Sequence, residues 1–182
     1  ENLSVSNDGV FLFKNVHLNL AKGDKVIIYA KDTRAISALY AILMGERKAD
    51  SGSFDWGITT SQAYLPLDHD SFFENPMNLV DWLRQYAKTK EEREEVFLRG
   101  FLGKMLFSGE EALKMSNVLS GGEKVRCMLS KMMMERANVL LLEEPTNHLD
   151  LESITAFNNS LNNFKGTLLF STSDHAFAQT IG

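Results

Sequence analysis

The spacing of apolar residues changes along the first part of the chain. Apolar and polar residues alternate in part over residues 10–20, which predicts half-buried antiparallel strands. Residues 25–30 form a short β-branched run that predicts a buried strand, and from Ser37 apolar residues recur at helical spacing until Gly45. The order strand, loop, helix is the scaffold on which phosphate-binding loops are built.

Two later segments, 138–144 and 167–172, are almost continuously apolar. Such runs are typical of strands that are buried on both faces of a parallel sheet, and the segment between them has apolar residues at helical spacing. Short strands are also expected around three aromatic residues, Phe54, Trp56 and Tyr64.

The pattern between these strands is helical. Apolar residues recur at i, i+3, i+4 and i+7 within 79–86, and similar helical spacing recurs within 125–133. We therefore predict a helical lobe at 73–136, inserted into a core sheet lobe made of 1–72 and 137–182. The predicted fold class is α/β, with a mostly parallel central sheet and an antiparallel β edge.

Composition and charge narrow the class of protein. The chain has 182 residues, which is about one domain's length, and 44% of them are hydrophobic. It contains no apolar stretch that approaches the roughly 20 residues needed to cross a bilayer. A net charge of −5 argues against bulk attraction to nucleic acid or an anionic membrane. The single cysteine, Cys127, and the lack of a basic-then-apolar start favour a cytoplasmic location. The chain stops at Gly182 just after the start of a predicted helix, so we expect a fragment of a longer protein.

A candidate anion site precedes the helix at 125–133. Ser120, Gly121, Gly122 and Glu123 place a hydroxyl and two glycines where that helix begins, so backbone N–H groups and the positive end of the helix dipole converge on whatever lies before them. A plain capping box, in which Ser120 and Glu123 bond each other's backbone, explains the same residues without a ligand. Taken alone, this motif favours the capping box.

Two adjacent acids end the apolar run at 138–144. Glu143 and Glu144 lie at the carboxyl end of a predicted central strand, where α/β sheets bind their ligands. Because successive strand side chains point to opposite faces, we expect one acid to face Mg²⁺ and the phosphate loop and the other to face an attacking water. A solubilising role is the alternative for this pair.

Together the two motifs resemble the ATP-binding cassette superfamily, and within it the ABC-F family of twin-cassette proteins. The resemblance rests on the signature 119–124 and on the segment 144–150, where Asn147 and His148 stand in an Asn-His-Leu-Asp run that is typical of ABC-F proteins. It covers the whole chain and implies a P-loop NTPase-like ABC cassette that binds ATP and Mg²⁺. It also implies a second cassette in the same polypeptide or a homodimer mate, with ATP between the phosphate loop of one cassette and the signature of the other, and action on the ribosome in translation.

The phosphate loop expected from this resemblance is altered in this chain. The pattern G-x-x-x-x-G-K-[ST] supplies glycines that wrap the phosphates, a lysine for the β and γ oxygens and a hydroxyl for Mg²⁺. Here both framework glycines are alanine, the lysine is isoleucine, and only the hydroxyl residue is kept. The aligned residues are Ala30, Lys31, Asp32, Thr33, Arg34, Ala35, Ile36, Ser37 and Ala38.

Other positions that the resemblance assigns to nucleotide binding also differ from the family pattern, and each change is expected to weaken binding. Asn7 stands where the family stacks an aromatic ring on adenine, and Leu67 where it has a glutamine. Glu143 replaces the usual metal-binding aspartate, and Ser173 replaces the switch histidine, with His175 two positions later. The resemblance leaves Glu144 as the general base, and Ser37 and Glu143 as weak metal ligands.

These features lead to one hypothesis and two alternatives. The chain is predicted to be the second cassette of an ABC-F ATPase, contributing Ser120, Gly121, Gly122 and Glu123 in trans, while its own site is weak or inactive. One alternative is a non-hydrolysing pseudo-ATPase that serves as an interaction module. The other is a nucleotide-binding subunit of an ABC transporter.

Overall fold

The computed structural model of the protein describes residues 1–7 and 9–173. It divides into two compact units, one formed by 1–67, 138–144 and the described residues from 166 on, the other by 68–137 and 145–165. The helical lobe predicted at 73–136 lies within the second unit, which also includes the helix that follows Asp150.

The first unit contains two sheets. Its parallel sheet has four strands in the order β3-β6-β5-β4, and a separate antiparallel sheet pairs β1 with β2. The predicted α/β class with parallel and antiparallel parts is confirmed. The strands are β1 Leu3–Asn7, β2 Val10–Val16, β3 Lys25–Tyr29, β4 Gln62–Leu65, β5 Val139–Glu143 and β6 Thr167–Thr172.

Helix α1, Thr33–Leu43, packs against both sheets of this unit. Ile36 and Tyr40 lie in one apolar cluster with residues of β5 and β6, whereas Ala38 and Ile42 lie in a second cluster with Val5 of β1. Because residues four apart share a helix face, the two clusters occupy two sides of α1. The carboxyl ends of β3 and β5 are thereby brought to the start of this helix.

The second unit is helical. Its helices are α2 Leu79–Arg84, α3 Glu95–Lys104, α4 Gly121–Met134 and α5 Leu151–Asn162. Trp82, which is fully buried, stacks on Phe73 at a ring distance of 4.9 Å and donates its indole N–H to the carbonyl of Phe72 at 2.7 Å. The apolar spacing predicted for α2 and α4 is confirmed by their buried faces.

Three local predictions differ from the structure. The helix expected from Ser37 begins four residues earlier, at Thr33, because the Asp32 side chain caps it. The strand pattern predicted over 10–20 ends at Val16, and the residues around Phe54 and Trp56 form no strand. Trp56 instead donates its indole N–H to the carbonyl of Leu43 at 3.1 Å. This tryptophan therefore packs on the end of α1 and is not part of a strand.

Candidate functional site

The turn between β3 and α1 is the predicted phosphate loop, and the amide of the second helical residue, Arg34, is paired with a side chain of this turn. Asp32 Oδ1 accepts the backbone N–H of Arg34 at 3.0 Å. The guanidinium of Arg34 donates to the same carboxylate, from Nε to Oδ1 at 3.1 Å and from Nη2 to Oδ2 at 3.0 Å. These hydrogen bonds, first from the side chain and then from the backbone of Arg34, lower the pKa of Asp32. A negative charge therefore sits where a phosphate loop would receive a phosphate.

The residue at the lysine position of this loop lies in the core. Ile36 is 4% exposed and packs with Tyr40, Val139, Leu141 and Leu169. Its side chain is directed into the unit rather than toward solvent.

The other aligned residues of the loop differ in exposure. Lys31 and Thr33 are exposed, Ala30 and Ala35 are half-buried, and Ala38 is buried. Alanine at 30 and 35 adds a Cβ where the family pattern has none.

The two predicted metal ligands meet at the end of β5. Glu143 is 3% exposed, and its Oε1 accepts the hydroxyl of Ser37. Its Oε2 accepts the hydroxyl of Tyr64 at 2.6 Å and the backbone N–H of Leu67 at 3.3 Å. Burial, followed by this hydrogen bond to Glu143, raises the pKa of Tyr64 far above its ordinary value, so the phenol stays protonated and donates. Both carboxylate oxygens thus have partners from the chain itself.

Glu144, the predicted general base, follows β5 in a left-handed conformation with φ of 48°. Such a backbone costs a non-glycine residue about 1–2 kcal/mol. Its N–H donates to the carbonyl of Ser171 at 3.1 Å, and its side chain is half-buried. The adjacent acids therefore have different surroundings, one buried and hydrogen-bonded, the other at a turn out of the strand.

The signature lies at the start of α4 and forms a capping box. Ser120 Oγ accepts the N–H of Glu123 at 3.2 Å, and Glu123 Oε1 accepts the N–H of Ser120 at 3.1 Å. Lys114 Nζ holds the other oxygen of Glu123 at 2.8 Å. Partial burial raises the pKa of Glu123, but the hydrogen bonds from Lys114 and Ser120 outweigh it and lower that pKa overall.

The two signature glycines are packed against the segment that carries His148. A Cβ built on Gly122 would lie 2.5 Å from the carbonyl oxygen of His148, a distance that real Cβ atoms do not adopt. A Cβ on Gly121 would lie 3.4 Å from the ring of the same residue. Glycine at 122 is therefore required by backbone packing whatever it binds, and the signature is held to the Asn-His-Leu-Asp segment, whose Asp150 caps α5.

The remaining predicted positions that the structure describes are exposed to solvent. Asn7 and Ser173 are exposed, and Leu67 is 44% exposed with its amide on Glu143. His175 lies outside the described residues. Among those that the structure describes, no group of three or more His, Cys, Asp or Glu side chains is arranged to hold a metal ion.

Two residues of this region were not predicted from the sequence. Tyr64 was assigned only to a strand, yet it bonds the buried acid. Asp32 was predicted only as a residue of the altered phosphate loop and not as a helix cap, although aspartate before a helical run is a common N-cap signal and identifies the true start of α1.

No helix in the described part of the chain combines the length and apolarity that a bilayer span requires. The chain is 57% identical over all 182 residues to the uncharacterized ABC transporter ATP-binding protein YkpA of Bacillus subtilis (strain 168), of which it covers 33%. It is 30% identical over 181 residues to the energy-dependent translational throttle protein EttA of Haemophilus influenzae, again covering 33% of that protein. The chain thus spans about a third of the length of these relatives.

Solved structures and family models agree with the observed fold. A bacterial ABC transporter cassette, solved as a dimer, superposes with a TM-score of 0.77 at 18% identity, over 98% of this chain and 89% of that one. Residues 13–147 match the family model described as ABC transporter, which is most of the chain. The chain therefore belongs to the ABC transporter family of ATP-binding cassettes.

Proposed function

We propose that this chain is the second cassette of an ABC-F protein that acts in translation, and that it completes an ATP site on a partner cassette through Ser120, Gly121, Gly122 and Glu123. The partner is a cassette in the same polypeptide or a second copy in a homodimer. Cassettes of this family bind ATP with Mg²⁺. In this proposal the chain's own loop, residues 30–38, binds both weakly, and Glu144 and Ser173 face a site with little turnover.

The observation that carries the proposal is the difference between two helix starts. At α4 the first two amides belong to Gly121 and Gly122, directly after the serine hydroxyl, and such a helix start can accept a phosphate oxygen. At α1 the corresponding position holds the carboxylate of Asp32, with Ile36 buried in place of a lysine. Losing one charge-assisted phosphate contact costs about 1.5–3 kcal/mol, or roughly ten- to a hundredfold in affinity.

The ABC-F and translation parts of the proposal have separate support. Asn147 and His148 belong to the Asn-His-Leu-Asp run that is typical of ABC-F proteins. The identity with EttA, a protein named for a role in translation, points in the same direction. A partner role for the ribosome rests on this relationship.

Calorimetry with MgATP on the 182-residue chain tests the weak-loop part. We expect no binding at micromolar concentration, and micromolar binding would contradict it. ATP turnover by the longer polypeptide that carries this chain tests the trans role. Ser120→Arg should reduce turnover by at least about tenfold, whereas Ser37→Ala should leave it nearly unchanged. The opposite order would overturn the assignment.

A non-hydrolysing interaction module is the second candidate. It is favoured by the completed capping box, in which Ser120 and Glu123 already satisfy one another. In that case neither Ser120→Arg nor Ser37→Ala would change turnover by the longer polypeptide. A nucleotide-binding subunit of a transporter, the third candidate, is supported by the name of YkpA and would copurify with a membrane component.

A further inference from the structure

Glu143 has an unusual set of partners for a carboxylate at a predicted metal position. It is 3% exposed, and its two oxygens accept three donors of the chain: the Ser37 hydroxyl, the Tyr64 hydroxyl and the Leu67 backbone N–H. The Tyr64 contact, at 2.6 Å, is the short distance expected of a phenol donating to an ionised carboxylate. A buried carboxylate needs such donors, because an unpaired one is strongly destabilising.

The register of the sheet explains why Tyr64 reaches this acid. Strand β4 pairs with β5 in parallel, and Tyr64 lies opposite Leu141. Leu141 and Glu143 are two residues apart and therefore face the same side of the sheet, which makes Tyr64 a diagonal neighbour of the acid. The Tyr40 ring packs edge-on against Tyr64 at 5.6 Å and limits its tilt.

The same geometry fits a magnesium ion poorly. Mg²⁺ requires near-octahedral oxygen ligands at about 2.0–2.1 Å and usually keeps several waters. Here the protons of Tyr64 and Leu67 are directed at Glu143 Oε2, so a cation at that oxygen would face donors rather than acceptors. Hydroxyl and amide protons already supply the positive charge density that the carboxylate requires.

We propose that Tyr64 is a positioning residue that holds Glu143 in a metal-free hydrogen-bond network, so that the acid joins β4, β5 and α1 instead of binding a divalent cation. The proposal rests on the proposed function, in which the loop at residues 30–38 binds ATP and Mg²⁺ weakly. It adds that the Tyr64 hydroxyl takes the place of the metal beside Glu143. Tyr64→Phe removes one hydroxyl, keeps the ring against Tyr40 and leaves Glu143 Oε2 with the longer Leu67 N–H contact alone.

The test measures Mn²⁺ binding to the 182-residue chain by electron paramagnetic resonance, with Mn²⁺ alone and no nucleotide. We expect Tyr64→Phe to bind Mn²⁺ at least about tenfold more tightly than the wild type. Tyr40→Phe is the matched control, since its hydroxyl donates to the carbonyls of Leu142 and Leu169 and not to Glu143. Tyr40→Phe should bind Mn²⁺ as the wild type does. The proposal is overturned if Tyr64→Phe shows no gain, or if both variants gain equally.

A second measurement uses only proteins that retain Tyr64. The melting temperature of the wild type should be the same with and without millimolar Mn²⁺, because a ligand raises it only by binding the folded state. A rise in the wild type that Glu143→Gln abolishes would overturn the proposal. Since nucleotide is absent, metal uptake by the wild type would leave the MgATP result untouched, and tight MgATP binding would contradict the proposed function separately.

Discussion

Helices α1 and α4 cap their first amides, which have no partner within the helix, in two different ways. At α4, Ser120 and Glu123 bond reciprocally, and Gly122 in the first turn permits the backbone of His148 to approach. At α1, Asp32 caps alone and is neutralised by Arg34. Each start thus carries a carboxylate paired with a cation, but the group that accepts the helix amide is a serine hydroxyl at α4 and the carboxylate itself at α1. Similar local geometry therefore supports different chemistry at the two helices.

The largest expected effect comes from placing a lysine at position 36 of α1, where the sequence predicts the altered phosphate-loop lysine. Ile36→Lys should lower the free energy of unfolding by roughly 3–5 kcal/mol, because it leaves a charge uncompensated among Tyr40, Val139 and Leu169. Urea denaturation measures this loss. Thr33→Lys, at an exposed position in the first turn of the same helix, should cost no more than about 1 kcal/mol. Wild-type stability in Ile36→Lys, together with new MgATP binding, would show that the α1 start is still a working phosphate loop.

Gly122→Ala tests the packing that α4 requires and α1 does not. The added Cβ would lie 2.5 Å from the carbonyl oxygen of His148, so we expect the free energy of unfolding to fall by about 1–3 kcal/mol. Thermal denaturation measures this change. Gly103→Ala in helix α3 is the control, because a Cβ added at this position would have no atom within 4 Å. It should stabilise the chain by about 0.5–1 kcal/mol. Equal effects of the two substitutions would mean that His148 can move away from the signature.

Ser120→Ala separates the capping role of the signature from its proposed binding role. Removing the hydroxyl that accepts the Glu123 amide should cost about 1 kcal/mol of unfolding free energy. Ser108→Ala is a suitable comparison, since Ser108 precedes a 3₁₀ turn without any side-chain cap bond, and it should be neutral within about 0.5 kcal/mol. A neutral Ser120→Ala would indicate that Glu123 and Lys114 maintain the α4 start without the hydroxyl.

The smallest effect is a pH dependence on the α4 side. His69 is 8% exposed and its Nδ1 has no hydrogen-bond partner, and burial lowers its pKa below the ordinary 6.5. The unfolded chain therefore binds the proton first, and stability present above pH 6.5 is lost as pH falls through the lowered pKa. Denaturation midpoints from pH 8 downward measure this change, and His69→Gln should remove the part due to this group. If the denaturation midpoint of His69→Gln depends on pH as that of the wild type does, the loss of stability comes from other residues.

Much of the fold could be predicted because it depends on local patterns. The runs that became β5 and β6 are apolar on both faces, and the α4 start carries its capping box within Ser120–Glu123, so neighbouring residues suffice to identify them. The start of α1 was missed by four residues because apolar periodicity begins at Ser37 while the helix begins at its cap. Phe54 and Trp56 were wrongly assigned to strands, because aromatic residues favour strands and loop packing alike.

The sequence by itself determined the class of sheet and the order of most of its strands and helices along the chain, and it supplied the candidate nucleotide residues as predictions. Only the tertiary structure decided that Tyr64 bonds Glu143, that Ile36 is buried and that Gly122 contacts His148. Patterns of hydrophobicity and capping act between residues a few positions apart. The Tyr64–Glu143 bond joins residues 79 positions apart, and it exists only when parallel pairing places β4 beside β5 and α1 covers the same face.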